Sequence, residues 1–69
     1  MNYYNETNRS HNGINFRIES FTIPMSNEVT VVKFQAFYKD MPISEIEGNQ
    51  AIAIMQAIKT INENIDLLK

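Results

Sequence analysis

Apolar residues change their spacing once along this chain, and that change limits the fold more than any other feature. Between Ile14 and Tyr38 they recur mostly at every second residue. From Ile54 to Leu68 they recur at steps of four, three, four and three, through Ile58, Ile61 and Ile65. Period two is the side-chain repeat of a half-buried strand, and alternating threes and fours mark one face of an α-helix. Strands first and a helix last predict an α+β domain of ββα order.

The first strand is expected over about 14–23. Ile14, Phe16 and Ile18 alternate, and Phe21 and Ile23 then resume one residue out of phase. A β-bulge at Glu19-Ser20 would absorb such a slip. Pro24-Met25-Ser26-Asn27 has turn composition,. The second strand, about 28–38, carries Val32, Phe34, Ala36 and Tyr38 on one face, with Thr30 leading. Pairing Ile18 with Val32, Phe16 with Phe34, Ile14 with Ala36 and, past the bulge, Phe21 with Thr30 sets every core-facing residue beside another. That makes a long antiparallel hairpin.

Pro42 ends the second strand, and Ser44-Glu45-Ile46-Glu47 fits a capping box,. One amphipathic helix over about 44–68 is therefore expected, with Gly48-Asn49 as a weak spot where it could instead begin. A helix of about 24 residues is roughly 36 Å long. A ten-residue strand is about 33 Å, so such a helix would cover the whole hairpin. Residues 1–13, polar and asparagine-rich, are expected to form a flexible tail, leaving 14–69 as the single domain,.

Sixty-nine residues make a marginal core, because a chain near that length buries only about 60% of its unfolded surface. Small domains add a disulfide, a metal or a partner subunit. There is no cysteine, and His11 is the only histidine, so no disulfide or Cys/His metal cluster can form. Apolar residues also exceed what one helix on two strands can bury: Val29, Val31 and Phe37 on the second strand, Ile52 and Met55 beside the helical stripe. With two open strand edges, this favours completion of the fold by a homo-oligomer, a dimer first of all.

No residue pattern dictates chemistry. His11 falls in the expected tail, whereas a general base must be held near its proton. Asp40, Glu45 and Glu47 suit a helix N-terminus, and Gly48 alone is no phosphate-binding loop. No catalytic residue, metal site or cofactor is expected. A net charge of −2 argues against a surface coated in basic charge. No apolar run is long enough to span a bilayer, and residues 1–6 lack the features of a signal peptide,; a cytoplasmic protein that does not enter a membrane is expected. Abundant Asn and Ile hint at an AT-rich bacterial or phage genome.

The expected register also sets Arg17 across from Lys33 and Asn15 across from Gln35 on the outer face. Opposed like charges are destabilising, so Asn15, Arg17, Lys33, Gln35 and Lys39 form a candidate patch for an anion or an acidic partner. The expectation for function is a small, non-enzymatic, homo-oligomeric protein that binds another macromolecule, a protein first. It would be an inhibitor or adaptor of bacterial or phage type. The alternative is a nucleic-acid-binding regulator using the outer face of the ribbon.

Overall fold

The computed structural model describes residues 4–26 and 29–69. The expected turn residue Asn27 and strand start Glu28 lie outside them. The order is β1 (Tyr4–His11), β2 (Ile14–Pro24), β3 (Thr30–Tyr38), β4 (Met41–Pro42), α1 (Gln50–Glu63) and α2 (Ile65–Leu68). The strands form one antiparallel sheet in chain order, and the helices lie on one face of it. The α+β class and the strands-then-helix order hold, with two more strands than the spacing of apolar residues indicated.

Tyr4–His11 is a strand and not the flexible tail that its composition predicts. It pairs along its full length with β2, from Tyr4 opposite Phe21 to His11 opposite Ile14. Asn12 (φ 51°) and Gly13 (φ 80°) make the reversal. Two consecutive positive φ values suit the tightest hairpin turn, and Asn-Gly adopts them at little cost. The turn is tied to the helix: His11 Nε2 lies 2.9 Å from Asn62 Oδ1, to which Asn12 Nδ2 also donates.

The expected bulge is absent. β2 pairs with β3 in unbroken register, from Arg17 opposite Phe37 to Pro24 opposite Thr30. The ladder continues to Met25, whose N–H donates to the Val29 carbonyl at 2.6 Å. The pairing is shifted by four residues from the expected one: Ile18 faces Ala36, and Val32 faces Thr22. An even shift keeps every side chain on its face. The slip at Glu19-Ser20 therefore inverts the strand. Ile14, Phe16 and Ile18 are buried on the helix face, while Phe21 and Ile23 point the other way.

The helix is shorter than expected. α1 begins at Gln50, after Asn49, whose side-chain oxygen accepts from the Ala51 N–H at 2.8 Å. Ser44 caps nothing; its Oγ accepts the Ala36 N–H at 2.8 Å and donates to the Glu45 carbonyl. The segment 43–47 runs instead along the β3 edge. Ile43 N–H bonds Ala36, and Phe34 and Glu47 exchange both backbone bonds at 2.8 Å. Asn64 interrupts the helix before α2.

Fourteen residues of α1 give a rod of about 21 Å. It starts near the Phe34–Glu47 bridge and ends beside the β1–β2 turn. Ala53, Ala57 and Ile61 face the sheet and are fully buried; the two alanines let the helix approach closely. Ile54, Ile65 and Leu68 flank that line. The core is therefore Ile14, Phe16, Ile18, Ala36 and Ile43 under this short helix. Beyond Ser20 and Phe34 the hairpin projects uncovered.

Candidate functional site

Three surfaces gather the residues that the sequence singles out. The first is a shallow depression of about 530 Å³ on the sheet face opposite the helix, lined by Asn8, Ser10, Asn15, Arg17, Phe37 and Lys39 among others. It unites three members of the expected patch: Asn15, Arg17 and Lys39. Lys33 and Gln35 are not part of it. Lys33 sits opposite Phe21, not opposite Arg17. Gln35 donates to the Ser44 carbonyl at 3.2 Å and so holds the edge segment in place.

The opposed basic pair of the expected register does not exist; two acids stand opposed in its stead. Glu6 faces Glu19 across β1 and β2, an arrangement that costs energy unless neutralised. Arg17 neutralises it. Its Nε lies 2.7 Å from Glu19 Oε2 and 3.5 Å from Glu6 Oε2. The guanidinium also stacks over the Phe37 ring at 4.9 Å and donates to the Lys39 carbonyl. The bond to Glu19 raises the Arg17 pKa further above its already high ordinary value. Arg17 is thus committed within the sheet, and Phe37 is half covered by it. Lys39 is exposed, at φ 54°, with its ammonium 5.3 Å from the Tyr38 ring centre.

The second surface lies on the outer side of α1. Met55, 68% exposed, and Ile58 form an apolar floor of a groove of about 450 Å³, with Lys59, Asn62 and Glu63 as its polar rim. Ile52 precedes Met55 by three residues, hence on the same side, and is also exposed.

The third surface is the projecting end of the hairpin. Val29 and Val32 are about half exposed, and Met25 is 54% exposed at the tip. On the face away from the helix, Ile23 opposes Val31 and Phe21 opposes Tyr4, so four large apolar side chains adjoin there. The five apolar residues expected to form one association surface are thus divided: Val29 and Val31 here, Ile52 and Met55 on the helix, and Phe37 beneath Arg17. Tyr4, Ile23 and Val32 belong to this surface and were not foreseen. The Asn12-Gly13 pair, which places β1, would have revealed Tyr4.

Among the described residues no three His, Cys, Asp or Glu side chains converge as metal ligands, no polar side chain is buried, and no helix is long and apolar enough to cross a membrane. Comparison with protein-family models, curated proteins and solved structures finds no match.

Proposed function

We propose that this chain is a small, non-enzymatic, homo-oligomeric protein that acts by binding another protein, as an inhibitor or adaptor in the cytoplasm. The observation that carries the reading is the outer groove of α1. Met55 and Ile52 are exposed on a helix whose opposite side is already filled by the core. Neither belongs to the core cluster, and an apolar floor with a charged rim is how a protein interface is built. The groove suits an apolar anchor on the partner flanked by groups that pair with Lys59 and Glu63.

The test is capture of a partner through a photo-crosslinking residue at Lys59, repeated with Ile52→Glu plus Met55→Glu. Loss of the crosslinked species with an unchanged circular dichroism spectrum supports the reading. Undiminished crosslinking by the double variant would remove the groove from consideration.

The nucleic-acid alternative draws on the depression around Asn15, Arg17 and Lys39, but Arg17 already serves two carboxylates. It requires binding to an oligonucleotide pool that falls steeply with salt, as counterion release dictates, and that is lost in Lys39→Glu. No binding at low salt would dismiss it.

A further inference from the structure

We infer that two copies of this chain join through the uncovered edge of β3, residues 30–32, in an antiparallel pairing centred on Val31 of each copy. The inference rests on the homo-oligomeric part of the proposed function and is independent of the α1 groove.

Along β3, Phe34 and Ala36 direct their N–H and C=O away from β2, to Glu47, Ile43 and Ser44. Strand alternation gives Thr30 and Val32 the same outward direction. The edge segment has ended by then: the last strand pairing on that side is Phe34 with Glu47. Residues 30–32 pair with β2 alone among the described residues, whereas Lys33 already has Gly48 of its own chain beside its ammonium. Val29-Thr30-Val31-Val32 is uncharged and β-branched throughout. Native edges are usually protected by proline, bulges or charge; this one has none of them before Lys33.

A second copy fits the edge in one register above others. Two-fold symmetry about an axis perpendicular to the sheet brings residues of equal parity together. Placing Val31 opposite the partner's Val31 sets Thr30 opposite the partner's Val32, and Val32 opposite the partner's Thr30. Those two pairs use every outward N–H and C=O of Thr30 and Val32, four interchain bonds in all by the antiparallel pattern. Lys33, beside Gly48 of its own chain, lies past the last interchain pair, so no like charges meet. A shift by two residues toward Lys33 would set Thr30 against the partner's Phe34, whose outward groups Glu47 already holds. The opposite shift would leave Val32 facing a residue beyond the strand's start at Thr30. In the chosen register the Ile23–Val31 row of one copy continues into the Val31–Ile23 row of the other, joining the two apolar patches across the axis. Val31 forms the non-hydrogen-bonded pair there, in which side chains approach most closely.

The test is solution mass by light scattering over a hundredfold dilution, for wild type and four variants. Wild type is expected to be a dimer that dissociates on dilution. Val31→Lys and Val31→Glu each oppose like charges on the axis and weaken the dimer about tenfold or more. Mixed one to one, they recover a heterodimer. Thr30→Pro removes an outward N–H at the first residue of an edge strand, where proline is tolerated, and also yields monomer, with an unchanged circular dichroism spectrum. Ile52→Glu, in the groove, leaves the dimer intact. Three results would each overturn the inference: a wild-type monomer at millimolar concentration, a dimer indifferent to Val31→Lys and Thr30→Pro, or a lysine–glutamate mixture that stays monomeric. Loss of the dimer only in Ile52→Glu would place self-association on the groove and overturn it as well.

Discussion

The two halves of the β2–β3 hairpin are built from similar residues and lead opposite lives. In the inner half, Ile14, Phe16 and Ile18 lie beneath α1 at 5% exposure or less. In the outer half the same strand turns its apolar residues, Phe21 and Ile23, to the other face, where no helix lies. The helix side there carries Thr22 and Val32, and Val32 is 48% exposed. One cause accounts for both: α1 is about 21 Å long, too short to follow the hairpin outward. Inversion of the strand pattern and the end of the helix coincide near Ser20. The inner half stabilises the fold by burial; the outer half leaves much of its apolar surface uncovered.

The contrast is sharpest in truncation. Ile18→Ala or Ile61→Ala removes a side chain with no room to relax, and a loss of about 2–5 kcal/mol is expected in urea unfolding. Val32→Ala in the outer half should cost under about 1 kcal/mol for the monomer. Equal losses at the two ends would break the comparison.

Ser44→Ala comes next. It strands the N–H of Ala36, itself fully buried, and should cost about 1–3 kcal/mol. Asn49→Ala removes the helix cap and should cost about 1 kcal/mol. Thermal unfolding reads both losses, and amide hydrogen exchange separates them, because only Ser44→Ala should speed exchange at Ala36. Lys39→Gly should act with the opposite sign, gaining about 1 kcal/mol by relieving a positive φ, again read by urea unfolding.

The smallest effect is at Tyr4. Desolvation, then the nearby Glu19 and Glu6 carboxylates, raise its phenol above the ordinary 10.0. A raised value favours the neutral phenol in the fold, so its contribution is complete below pH 10 and is lost as pH climbs through the folded-state pKa. Ultraviolet titration should show a late-ionising phenol that is lost in Tyr4→Phe.

The class of the fold was legible because two periods occur in one order, and the helical stripe kept Ile61, Ile65 and Leu68 on the core side. β1 was not legible as a strand from apolar spacing, because the side chains opposing Phe16 and Ile18 are Arg9 and Thr7; the Asn12-Gly13 turn was the readable sign. The register was out of reach for a physical reason. Hydrophobic pattern distinguishes odd shifts from even ones and cannot separate pairings that differ by four. That shift changed the candidate site, replacing an opposed Arg17 and Lys33 with an Arg17 that neutralises Glu6 and Glu19. Ser44 and Asn49 show the same limit at the helix start. Both are good caps locally, and Ser44 was claimed by a strand amide distant in sequence. The excess of apolar residues was legible, but its division between an edge and a groove was not.

Amide hydrogen exchange along β3, followed over dilution, is the sharpest test of pairing through its outer edge. The N–H groups of Phe34 and Ala36 should be protected at every concentration. Those of Thr30 and Val32 should be protected in concentrated solution and become fast on dilution. Fast exchange at Thr30 and Val32 at all concentrations would contradict it, because the outer edge would then face only water.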